Sequence, residues 1–168
     1  MNNIILIGFP ACGKSVTGVV LAKILNMKFI DADLLIQQKA GRGLQDIINS
    51  DGIDAFKKLE EDVLSNIEEK NTVIATGGSA VYYEGAMEHL KKNGTVVYID
   101  VSLHDLKRRL RNIKTRGVAM SKGQTLDDLY AERKPLYEKY ADITVRSGNR
   151  KTMEDTVAKI ISALDRRK

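Results

Sequence analysis

The sequence predicts an α/β protein whose parallel sheet lies between layers of helices. Three observations carry this. Short apolar segments alternate with amphipathic ones along nearly the whole chain, which is the rhythm of a parallel sheet covered on both faces. The first segment, Asn3-Ile4-Ile5-Leu6-Ile7, is continuously apolar after Asn3, as a strand buried on both sides must be. A glycine-rich loop then joins that strand to an amphipathic stretch.

The elements follow in order. Lys14 to Leu25 carries Val16, Val19, Val20 and Ile24 at helical spacing and predicts a helix with that stripe as its apolar face. Lys28-Phe29-Ile30-Asp31 reads as a second strand. Residues 52–70 predict a long helix with Phe56, Leu59, Val63, Leu64 and Ile67 on one side. Thr72-Val73-Ile74-Ala75 is a third strand, and it runs into Gly77-Gly78. Thr95 to Ile99 is a fourth. Ser102 and Asp105 form a capping pattern that opens a helix, and Thr125 and Asp128 form another. Residues 112–124, with Gly117 and Gly123 among polar residues, predict a mobile loop. Ile143-Thr144-Val145 is a fifth strand, and Met153, Val157, Ile160, Ile161 and Leu164 mark a last helix.

Composition narrows the setting. A chain of 168 residues fits one domain, 1–168, long enough for a real core without disulfides. No apolar run approaches the roughly 20 residues that cross a bilayer. Met1-Asn2-Asn3 lacks the basic start of a signal peptide, so the cytoplasm is expected. Cys12 is the single cysteine. With His89 and His104 far apart it makes no zinc set, and both histidines are expected on solvated helix faces. The net charge of +5 suits a nucleic-acid binder or a protein that handles polyphosphate. The tyrosines are not interleaved with basic residues as a single-strand platform would need, so neither nucleic acid nor membrane is an expected partner.

Gly8-Phe9-Pro10-Ala11-Cys12-Gly13-Lys14-Ser15 is a complete G-x-x-x-x-G-K-[ST] loop between strand and helix. Its inward N–H groups and the helix N-terminus favour polyphosphate. Residues Ala11 to Val16 are thus the expected ATP cradle, with Lys14 across the β- and γ-phosphates and the Ser15 hydroxyl on Mg²⁺. Cys12 has a minor redox option, since an exposed helix N-terminus lowers a thiol pKa. Asp31 and Asp33 end the second strand, where ligands of open α/β sheets bind. Their spacing puts both on one face if the strand continues. One acid can hold Mg²⁺ through water and the other receive a substrate hydroxyl; equally, they can cap the next helix.

Together these segments resemble the shikimate kinase family, and the resemblance spans nearly the whole chain. It is carried by the phosphate loop with Ser15-Val16-Thr17-Gly18, by Asp31-x-Asp33, and by Phe56-Lys57-Lys58-Leu59-Glu60. Ala75-Thr76-Gly77-Gly78-Ser79, Arg111 to Arg116, and Glu132-Arg133-Lys134-Pro135-Leu136-Tyr137 complete it. The resemblance implies a P-loop kinase architecture with a five-stranded parallel sheet, a substrate-binding helical region at about 32–60 and a lid at about 112–124. It implies transfer of the γ-phosphate of ATP to the 3-hydroxyl of shikimate, in the synthesis of aromatic amino-acid precursors, by a cytoplasmic monomer. Asp31 would support Mg²⁺. Asp33 would bind the reacting hydroxyl, and Arg133 would grip the carboxylate beside Lys57 and the Gly77, Gly78 and Ser79 backbone. Arg111 would pack on adenine, and Arg116 would swing over the phosphates.

Three positions depart from the family pattern. Lys57 replaces an arginine, Ser79 replaces a third glycine, and Arg116-Gly117-Val118-Ala119 replaces Arg-Pro-Leu-Leu. Lysine is a point charge where arginine offers a planar fork. A P-loop kinase of the same fold acting on another small hydroxy compound is therefore the alternative. A nucleotide-binding regulator without turnover would be expected to have lost Lys14, Ser15, an acid or Arg116, and all are present.

Overall fold

The computed structural model describes residues 2–111, 118, 120–148 and 152–167. The chain forms β1 (Asn3–Ile7), α1 (Lys14–Leu25), β2 (Lys28–Asp31), α2 (Ala32–Ala40), α3 (Leu44–Asp51) and α4 (Ile53–Ser65). It continues with β3 (Thr72–Ala75), a 3-10 turn (Ala80–Tyr82), α5 (Glu84–Lys92) and β4 (Gly94–Val101). It ends with α6 (Leu103–Arg111), α7 (Leu126–Tyr140), β5 (Ile143–Ser147) and α8 (Met153–Asp165).

The five strands make one sheet in the order β2-β3-β1-β4-β5, and every pairing is parallel. Ile5 pairs with Ile74 on one side and Val96 on the other. Ile5, Leu6 and Ile7 are completely buried. This is what a continuous apolar run achieves at the centre of a covered sheet. The neighbours β1 and β3 send their following connections in opposite directions, β1 back to β2 and β3 across to β4. The C-terminal ends of β1, β2 and β3 therefore open on one edge beside a topological switch, where such sheets bind ligands.

Helix α1 has the predicted limits but the opposite orientation. Val16, Val19 and Ile24 are 57%, 52% and 57% exposed, while Thr17, Gly18, Leu21 and Ala22 face the sheet. The reason is distance. A Cβ on Gly18 would stand 2.6 Å from Phe29 Cε2, so only a small residue lets the helix lie this close to β2. Helix α4 ends at Ser65, short of the predicted 70; Ile67 stays buried beyond it, and Asn71 reaches β3 at φ 54°. Helices α2, α3 and α5 are additional to the elements read individually from the sequence. Together α2, α3 and α4 close a small core of their own on Ile36, Ile47, Phe56 and Val63, separate from the main cluster on the sheet.

The predicted caps are present. Asp105 N–H donates to Ser102 Oγ at 3.2 Å. Thr125 with Asp128 forms a reciprocal capping box on α7, and Thr152 with Asp155 forms a further one, not predicted, on α8. His104 is exposed, but His89 is half-buried with Nε2 2.8 Å from the Ile67 carbonyl oxygen, so only one histidine is fully solvated. Of the predicted lid, residues 112–117 and 119, with Arg116 among them, lie outside the described residues. Gly123 adopts φ 82° in the turn before α7.

Candidate active site

The loop after β1 wraps into the predicted cradle. Ala11, Gly13 and Gly8 take φ of 67°, 99° and 149°, and Gly13 caps α1. Lys14 is 8% exposed. Its Nζ donates to the carbonyls of Gly8 at 2.7 Å and Phe9 at 3.2 Å, and lies 3.6 Å from Cys12 Sγ. The ammonium is thus folded onto its own loop. Cys12 is 3% exposed, which removes the exposed position that the redox option needed.

The acids meet the cradle by a different route from a continued strand. β2 ends at Asp31, and Ala32 begins α2. Asp31 is the N-cap, with Oδ1 accepting from Asp33 N–H at 3.0 Å. The pair is thus a helix cap that also faces the ligand edge, because the helix starts where the sheet opens.

One cavity of about 720 Å³ collects these groups. Ala11, Gly13, Lys14 and Ser15 line one end; Asp31, Asp33, Gly77, Gly78, Ser79 and Arg133 line the rest. Gly77 and Gly78 must be small. A Cβ on Gly77 would stand 2.2 Å from Glu60 Oε1, and one on Gly78 2.7 Å from Pro10 Cδ. Tyr137, stacked on Tyr98 with centroids 5.2 Å apart, donates its hydroxyl to the Gly78 carbonyl at 2.6 Å. Helix α7 thereby fixes the glycine strip and also supplies Arg133, which is 2% exposed.

Two expected residues stand elsewhere. Lys57 does not line the cavity; its Nζ lies 6.0 Å from the centroid of the Tyr82 ring. Arg111 is exposed at the end of α6. Arg109, two residues earlier, donates from Nη1 to the Ala11 carbonyl at 3.1 Å. It also lines a depression of about 120 Å³ with Cys12, Gly13, Val16, Thr17 and Met153. Two residues turn a helix by about 200°, so Arg109 and Arg111 cannot face the same way. The signal was available: Arg109 follows the buried Leu106 by three positions.

Glu60, to which the resemblance assigns no role, is completely buried in the cavity wall. Burial pushes its carboxyl above the usual value; the Ser79 and Tyr83 hydroxyls pull it back, Asp33 pushes it up, and Arg133 pulls it down. Burial and Glu60 hold Tyr83 well above the ordinary phenol value, so its hydroxyl stays a donor.

The site therefore offers a polyphosphate cradle, an acid at each of two neighbouring positions and a buried guanidinium within one cavity. The shikimate kinase family model matches residues 10–165. The chain belongs to the shikimate kinase family. A shikimate kinase from Sulfurihydrogenibium sp. (strain YO3AOP1) is 36% identical over 168 residues, covering 99% of this chain and 100% of that one. One from Francisella philomiragia subsp. philomiragia is 37% identical, covering 97% of this chain and 94% of its own. Among solved structures, shikimate kinase from Acinetobacter baumannii in complex with shikimate superposes with a TM-score of 0.91 at 32% identity, covering 100% of this chain and 95% of that one. The Aquifex aeolicus enzyme gives 0.83 at 35%, covering 97% and 96%. A sugar kinase from Janibacter sp. HTCC2649, at 0.63 and 14% identity, shares the fold alone. The two departures from the family pattern make specific contacts: Lys57 Nζ lies over the Tyr82 ring, and Ser79 Oγ donates to Glu60.

Proposed function

We infer that this protein transfers the γ-phosphoryl group of ATP to the 3-hydroxyl of shikimate. The observation that carries the reading is the convergence in one cavity of the phosphate loop, Asp33 and the buried Arg133. A cationic fork at one end and a carboxylate at the other suit a small hydroxy acid held by both ends.

The roles follow from position. Backbone N–H groups from Ala11 to Ser15 cradle the phosphates. Lys14 leaves the Gly8 and Phe9 carbonyls to take the phosphate oxygens, exchanging two neutral acceptors for charged ones. Arg109, in the depression beside the loop, takes the adenine role that the resemblance gave to Arg111. Asp33 receives the attacking hydroxyl, and Arg133 pairs with the carboxylate. Phosphoryl transfer passes through a loose transition state, so placement and charge neutralisation carry the rate. Arg116 keeps the role its place in the motif implies, over the phosphates.

Mg²⁺ fits the residues present. Ser15 and Asp31 both line the cavity with hard oxygen donors. Among the described residues no cluster of three or more His, Cys, Asp or Glu forms a metal site; Mg²⁺ in such enzymes is held by one or two protein oxygens plus phosphates and water. Its chemistry there would be neutralisation of phosphate charge. The setting we infer is a cytoplasmic monomer; no described helix is long and apolar enough to cross a membrane.

The test is steady-state ADP release from ATP, Mg²⁺ and shikimate, with ³¹P NMR to locate the new phosphate. Phosphate on the 3-hydroxyl is expected. The positions of Lys57 and Ser79 favour running a panel of other small hydroxy acids beside it. Turnover of one of these with none of shikimate would replace the acceptor and keep the kinase.

A further inference from the structure

Glu60 has two oxygens with different surroundings. Oε2 accepts two hydroxyl donors, Ser79 Oγ at 2.5 Å and Tyr83 OH at 2.8 Å. Oε1 is the only buried side-chain nitrogen or oxygen among the described residues that lacks a partner. It points at the bare face of Gly77, 2.2 Å from where a Cβ would stand, and Asp33 Oδ1 lies 3.1 Å from the same point. Glu60 Oε1 and Asp33 Oδ1 therefore both pack around Gly77, which can lie this close only because it has no side chain.

An ionised carboxylate in a dry interior is costly unless hydrogen bonds meet it. Here both donors are on the same oxygen and come from one short segment, Ser79 to Tyr83. The effect is directional. Oε2 is satisfied and held, the carboxylate plane is fixed, and the buried Oε1 is seated against Gly77. Glycine at position 79 would remove one of the two donors and leave the plane freer to rotate. The charged groups facing Glu60 are Asp33 from α2 and Arg133 from α7. The first opposes ionisation and the second favours it, so the hydroxyls decide how firmly the anion is kept.

We propose that Ser79 and Tyr83 are positioning residues that clamp Glu60, so that its buried Oε1 seats Gly77 beside Asp33 and fixes the wall against which the acceptor docks. The clamp rests on the reading that this cavity takes the phosphoryl acceptor.

Ser79→Ala and Tyr83→Phe each delete one donor. In each, the KM for shikimate rises about tenfold while the KM for ATP stays within about twofold, as suits loss of one hydrogen bond to a charged group. A second readout needs no substrate. The Glu60 carboxyl, followed by ¹³C NMR against pH, titrates at higher pH in each variant than in the wild type. A shikimate KM and a Glu60 midpoint that both stay at wild-type values would overturn the clamp. If Ser79→Ala does not fold by circular dichroism, Tyr83→Phe decides alone. If wild type leaves shikimate unphosphorylated, the functional reading fails, and the NMR midpoints still judge the clamp.

Discussion

Tyr82 and Arg133 hold each other in two ways: Arg133 Nε donates to the Tyr82 hydroxyl at 3.3 Å, and its guanidinium carbon stands 5.3 Å over the ring centroid. The hydroxyl in turn donates to Glu132. The guanidinium is thereby held in one orientation at the cavity wall, where its planar fork can meet a carboxylate. Arg133→Lys removes the fork and is expected to lower kcat/KM for shikimate by about 10²-fold, in line with a desolvated charge pair left poorly matched. Tyr82→Phe keeps the ring and should cost about tenfold or less. Initial rates at saturating ATP with shikimate varied measure both. A Tyr82→Phe loss larger than that of Arg133→Lys would reverse the hierarchy.

Lys57 shares that ring, with its ammonium 6.0 Å from the centroid. Arginine stacks on aromatic faces better than lysine and carries the fork. Lys57→Arg should therefore preserve or raise kcat/KM for shikimate. A clear loss with shikimate, alongside turnover of a different hydroxy acid by wild type, would mark Lys57 as an adaptation to that other acceptor.

Lys14→Ala should lower kcat by about 10³-fold or more, the size seen when a transition-state charge stabiliser is deleted. Because Lys14 also ties the Gly8 and Phe9 carbonyls, a modest drop in melting temperature should accompany the loss. Circular dichroism separates the two effects: a folded, inactive variant is expected, and a folded variant with near-normal turnover would remove Lys14 from the mechanism.

Gly77→Ala places a methyl where Glu60 Oε1 and Asp33 Oδ1 already stand, at 2.2 and 3.1 Å. Glu60 is completely buried and cannot swing away cheaply. Shikimate affinity should fall by more than about tenfold, through steric loss of the acceptor wall. ATP affinity should hold, because the added methyl meets Glu60 and Asp33 rather than the loop. Isothermal titration of each ligand separately tests this; equal losses for both would point to a general collapse.

Stability should carry the mark of Glu60. Its folded carboxyl titrates above the ordinary value of 4.5, chiefly through burial. Above pH 4.5 the folded state therefore binds more protons at this group than the unfolded state, and the slope of stability with pH is negative. The penalty grows as pH rises from 4.5 through the raised folded value, then levels off. Glu60→Gln, which retains an acceptor for Ser79 and Tyr83, removes this contribution. Urea unfolding of both proteins across that window should show the variant gaining on wild type as pH rises; a difference constant with pH would refute it.

Much of the molecule was legible from local chemistry. The run Asn3 to Ile7, the glycine loop and the Thr125 and Asp128 box are read within one segment, since backbone spacing, glycine φ and capping bonds are local properties. Which side of an element meets the core is not local. In α1 the valines looked like the buried face, yet Gly18 and Ala22 face the sheet, because closeness of approach to Phe29 decided the packing. Arg109 rather than Arg111 reaches the loop because the rotation of α6 is set by where Leu106 anchors it. Glu60, Ser79 and Tyr83 come from α4 and from the segment around the 3-10 turn after β3. Nothing in either segment shows that two hydroxyls will share one oxygen. Only the packing of those segments against each other brings the donors to the carboxylate and seats its other oxygen against Gly77.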